Sequence, residues 1–145
     1  MADRSQTLLK IVQLHKRSAE QRFAKLARSR AEILKRINAI KSAIAEKEAA
    51  LSSGHVSQVT PQDFNSFENW RVFQLEKINK EINQDEVLRQ EQEAIGQELT
   101  AFIVKEDFFQ NRLADLHKEE IRERAKSEAE TAQTIWQQSQ SLSPK

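Results

Sequence analysis

Few side chains in this chain have the types and spacing that support chemistry. The three histidines, His15, His55 and His117, are scattered along it. A metal site needs ligands converging at about 2 Å from the ion, and no HxxxH or HExxH pair occurs, so each reads as a solvated side chain. Carboxylates are plentiful at Glu119, Glu120, Glu123, Glu128 and Glu130, but they alternate with Lys118, Arg122, Arg124 and Lys126. That alternation is the i,i+4 ladder of an exposed helix. A general acid or base needs a cleft to shift its pKa, and no nucleophile, base and orienter can be grouped. The expectation is a chain with no catalytic residue, no metal and no cofactor. A basic run (Lys10, Arg17, Arg22, Lys25, Arg28, Lys35, Arg36, Lys41) offers phosphate contacts, but its one aromatic is Phe23 and no stacking platform accompanies it. Nucleic acid is therefore not an expected ligand.

The elements that would position these residues are helices. Among 145 residues there are 2 glycines and 2 prolines, too few for a hairpin-rich sheet or a glycine-built phosphate loop. Cysteine is absent, which fits a reducing compartment. Lys10 interrupts the first apolar run, so neither a signal peptide nor a membrane span is expected. Residues 1–51 hold twelve basic and five acidic side chains, while residues 52–145 hold eleven and seventeen. Opposite net signs suggest two halves that face each other.

Apolar spacing says how they face. Leu9, Val12, Lys16, Ala19, Phe23, Leu26, Arg30, Ile33, Ile37, Ile40, Ile44, Lys47 and Leu51 form a heptad seam, apolar at all but its three basic positions. Helix 1 should span about residues 4–51, closed by Gly54, with a loop at 52–60. Thr60-Pro61-Gln62-Asp63 signals a helix start, with Thr as N-cap and Pro at the first position. Helix 2 should run from about 61 to 138. Its seam reads Phe64, Phe67, Leu75, Ile78, Ile82, then Leu88, Gln92, Ile95, Leu99, Phe102, Glu106, Phe109, Leu113 and Leu116, with a stammer near Asp85. A turn near residue 56 pairs numbers summing to about 112 and leaves residues from about 106 to 138 overhanging. The expected fold is all-α: one coiled-coil domain over residues 1–145, a long antiparallel two-helix hairpin with a C-terminal helical overhang.

The aromatics at the start of helix 2 are the candidate anchors. Phe64, Phe67, Leu75, Ile78 and Ile82 share one side, Trp70 lies about 100° from it and Phe73 about 160°. Phe73 should then point outward, unless the loop, through Val56 and Val59, covers it. Ile135 and Trp136 form a second outward pair on the overhang, beyond Leu113, Leu116 and Ile121.

Leu8-Leu9-x-Ile11-x-x-Leu14 and Phe67-x-x-Trp70-x-x-Phe73-x-Leu75-x-x-Ile78, in a hairpin of this length, resemble the FliJ family of the bacterial flagellar type III export apparatus, to which YscO-type injectisome proteins are similar. The resemblance implies a non-enzymatic cytoplasmic stalk, peripheral at the inner membrane. It implies partners too: the hexameric export ATPase, the cytosolic domain of the export gate, and substrate chaperones. The gate contact would carry over to Leu75, Ile78 and Ile82, with Arg71 where an aromatic is expected and Trp70 or Phe73 as replacements. The terminal overhang would enter the ring. The alternative on the residues alone is a structural tether or homodimer.

Overall fold

The computed structural model describes residues 4–53 and 59–142. They form two helices, α1 (Ser5–Ser53, 49 residues) and α2 (Pro61–Leu142, 82 residues), with no strand among them. Each therefore ends a few residues later than the spacing predicts. Gly54, His55 and Val56, the expected cap and part of the loop, lie outside the described residues. α2 opens as Thr60 indicates. The Asp63 backbone N–H donates to Thr60 Oγ1 at 3.1 Å, and the Thr60 N–H donates back to Asp63 Oδ2 at 3.2 Å. This reciprocal capping box is joined by Val59 and Phe64, which line one hollow at the N′ and N4 positions of a hydrophobic staple. Gly96 does not interrupt α2.

The chain divides into two compact units, one of residues 17–100 and the other of residues 1–16 and 101–145. In residues 17–100 the helices pack antiparallel. Ala19, Ile33 and Ile37 of α1 and Phe67, Ile78 and Ile95 of α2 are buried, and Ile40, Ile44 and Leu88 close over the Ile33–Ile37–Ile78 cluster. The α1 seam follows the predicted line, although Phe23, at 37%, and Lys47 are exposed on it.

The α2 seam is not. The less exposed positions run Phe67, Arg71, Gln74, Ile78, Glu81, Asp85, Leu88, Gln92, Ile95 and Leu99, an unbroken alternation of fours and threes. There is no stammer. Leu75 and Ile82, expected in the seam, are 41% and 47% exposed, and Phe64 is 54% exposed. The physical reason is that polar seam positions on α2 meet arginines on α1. Arg30 forks onto Asp85 (Nε–Oδ1 2.9 Å, Nη2–Oδ2 3.3 Å) and reaches Gln92 Oε1 at 2.9 Å. Arg36 forks onto Glu81 at 3.0 and 3.1 Å. A seam satisfied by planar guanidinium forks needs no apolar residue at those steps.

The register also departs from 112. Arg36 with Glu81 and Lys47 with Trp70 each sum to 117, and Arg30 spans 115 to 122 across its two partners. Leu51 and Phe67 share lining of two hollows that Asp63 and Phe64, in α2's opening turn, also border.

In residues 1–16 and 101–145, Lys16 Nζ meets Glu106 at 3.3 and 3.4 Å, with both side chains largely shielded (26% and 17% exposed). His15 packs its ring on Phe102, 5.9 Å between centroids. Val12 is buried, and Leu9, Phe109, Leu113 and Leu116 are half-buried. Within this unit the shielded positions of α2 reach Leu116. The overhang begins at residue 117, not near 106, and every side chain described from 117 to 141 is exposed.

Candidate functional site

Because the seam takes Phe67 and Ile78 into the core at 8% and 6% exposure, neither is presented to a partner. Trp70 is half-buried, with Lys47 Nζ 4.1 Å above its ring and Phe67 6.0 Å away. Arg71 is likewise half-buried and pairs with Glu68 at 3.4 Å within α2. Phe73 points outward as its helical angle predicts. It is 54% exposed and carries Lys77 Nζ 4.7 Å over its face. Val59 borders a hollow with Phe64 and Phe67, and Phe73 is not among its lining residues.

Drawing heptad letters from the observed seam (a at Arg30, Ile37, Ile78 and Asp85) sorts the remaining side chains. In an antiparallel pair the e positions of both helices share one edge and the g positions the other. Leu75 and Ile82 are e on α2, and Leu34, 59% exposed, is e on α1. Val72, 50% exposed, adjoins them. The next e positions on α1, Lys41 and Glu48, are charged, so the aliphatic stretch is confined to Leu34 with Leu75, Ile82 and Val72. The result is a bare aliphatic edge to which both helices contribute. Leu34 and Val72 escape sequence reasoning because the edge is visible only once the seam is drawn through Gln74, Glu81 and Asp85.

The opposite edge is charged. Arg22 reaches Glu98 at 3.0 Å, and together with Lys25, Leu26, Ala94 and Ile95 they border an open groove of about 610 Å³. Neighbouring carboxylates hold the Arg30 and Arg36 guanidinium groups above the usual arginine value, chiefly through the hydrogen bonds these groups donate to Asp85 and Glu81.

In residues 1–16 and 101–145 a second set of apolar side chains is bare. Leu8, Ile11 and Leu14 point out of the seam on α1, as do Ile103, Val104 and Phe108 on α2. Farther along α2, Ile121, Ile135 and Trp136 are 54%, 61% and 60% exposed. Leu113 and Leu116 belong to the seam instead, so they are corrected out of the overhang set.

Among the described residues no group of three His, Cys, Asp or Glu side chains could hold a metal ion, and no helix is long and apolar enough to cross a membrane. Fold and faces together define an antiparallel two-helix coiled coil with exposed apolar surface in each unit. No protein-family model matches the chain, and no match was found among curated proteins or solved structures.

Proposed function

We propose that the chain is a non-enzymatic coiled-coil stalk of a flagellar-type export apparatus, cytoplasmic and peripheral at the inner membrane. One end of α2 engages a hexameric export ATPase, and the aliphatic edge engages the cytosolic domain of an export gate. Substrate chaperones are further partners. The observation that carries the reading is the helical segment 117–142, which α1 does not cover and whose described side chains are all exposed. A helix of this length with no mate among the described residues is a surface for another protein. The bare edge at Leu34, Leu75 and Ile82 supports the second half, because it lies where the resemblance places the gate contact. Phe73, on the far side of α2 from this edge, is a separate exposed aromatic. The resemblance is the support for the identity of the partners, and the exposed faces are surfaces on which such partners could dock.

The test uses the full chain with a purified export ATPase and a purified gate domain. Removing residues 117–145 is expected to abolish stimulation of the ATPase. Leu75→Asp with Ile82→Asp is expected to abolish gate binding and leave stimulation intact. If both variants behave as the parent does, the stalk reading is wrong.

A further inference from the structure

We propose that the outer face of α2 between Val104 and Ala129 is a second coiled-coil seam, whose occupant is another copy of this chain running antiparallel. This inference stands independently of the export reading. The first seam's own line turns polar after Leu116, through Glu120, Glu123, Ser127 and Glu130. A partner laid along the continuation of α1 would find nothing to pack against. The opposite heptad positions, outward from α1, carry the useful chemistry. Asp115 and Lys118 form a charged middle, Asn111 and Arg122 follow on either side, and Phe108 with Ala125 and Val104 with Ala129 make apolar ends. All eight are exposed, Val104 at 63% and Phe108 at 62%.

Charge and size complementarity choose the occupant. A two-fold contact pairs residue i with j and j with i. Place the axis between Leu116 and His117, and Asp115 meets the partner's Lys118 twice over, with the partner's Arg122 one turn away. The same operation sets Asn111 against the partner's Arg122, Phe108 against the partner's Ala125 and Val104 against the partner's Ala129. A large side chain opposes a small one at both ends, so the helices approach closely. Parallel pairing would instead bring Asp115 to Asp115 and Lys118 to Lys118, and charge alone rejects it. Like charges flank the apolar ends (Lys105 near the partner's Lys126, Asp107 near the partner's Glu128). They keep the association moderate, so concentration governs it.

The experiment takes the full chain, which has no native cysteine. Sedimentation over a concentration series should show a monomer–dimer equilibrium. Under mild oxidation, a mixture of Phe108→Cys and Ala125→Cys chains should cross-link across the two variants, and neither should link to itself. Asp115→Lys should raise the dimer dissociation constant about tenfold, and adding Lys118→Asp in the same chain should recover most of it. Circular dichroism checks that each variant keeps its helices. A monomer at every concentration, self-linked cysteine variants, or a dissociation constant indifferent to Asp115→Lys would each overturn the proposal.

Discussion

Along one edge of the seam in residues 17–100, charged side chains cross between helices, Arg22 to Glu98 and Arg36 to Glu81. Along the other edge the charge stays within its own helix. Arg89 is held by Glu86 at 2.7 and 2.9 Å and by Glu93 at 3.2 Å, all on α2, while Leu34, Leu75 and Ile82 stand bare. Both edges flank the same buried isoleucines, so the difference is not one of core. It shows that a coiled coil can be held by its seam and one ion-paired edge while the other edge contributes little to folding. An aliphatic edge with little folding role is free to serve a partner.

The sharpest way to break this comparison sets neighbours in α1 against each other. Ile33 is 1% exposed and Leu34 is 59% exposed. Ile33→Ala should cost about 2–4 kcal/mol through lost burial and an unfilled space. Leu34→Ala should stay within about 0.5 kcal/mol, as surface changes do. Thermal unfolding followed by circular dichroism reads both. Equal losses would mean that the bare edge is part of the core.

Two changes of about 1 kcal/mol and opposite sign sharpen the picture. Thr60→Ala removes the capping box that starts α2 and should destabilise by about 1 kcal/mol. Gly96→Ala should stabilise by about the same amount, because glycine costs that much in a helix interior. A methyl group at Gly96 would lie 3.9 Å from the Phe23 ring, an ordinary contact, so nothing need move. Urea midpoints decide both, and a destabilised Gly96→Ala would show that the ring sits closer than this packing allows.

How much of this was legible in the sequence follows from what each stretch uses for its seam. α1 announces itself because Ile33, Ile37, Ile40 and Ile44 are apolar at every step, and Thr60-Pro61 marks α2's start by local hydrogen bonding alone. The α2 seam from Arg71 to Asp85 was misread because apolar spacing is blind to seam positions filled by Gln74, Glu81 and Asp85. Their partners, Arg30 and Arg36, lie tens of residues away, and only the register reveals them. The stripe at Leu75 and Ile82 was apolar enough to be mistaken for the seam, one position off. Leu113 and Leu116 were misplaced for a related reason. The register depends on how many residues the turn consumes, and the observed pairs sum to 115–122 rather than 112.

The smallest expected effect concerns pH and the edge whose charge does not cross. The hydrogen bond from Arg89 holds the Glu86 carboxyl below its ordinary value, and the two lie one turn apart on α2. A carboxylate depressed in the folded state contributes stability that is present above its unfolded pKa and fades as pH falls through the folded one. Arginine works the other way. Arg36, raised chiefly by its hydrogen bond to Glu81, contributes fully at any pH below the usual arginine range, so acid leaves the arginine half of that pair unchanged. Glu86→Gln should therefore flatten part of the loss in melting temperature between about pH 6 and about pH 3, while leaving dimerisation and partner binding untouched. A variant whose acid sensitivity matches the parent's would show that the Glu86–Arg89 bond is too solvated to matter, as many exposed pairs are.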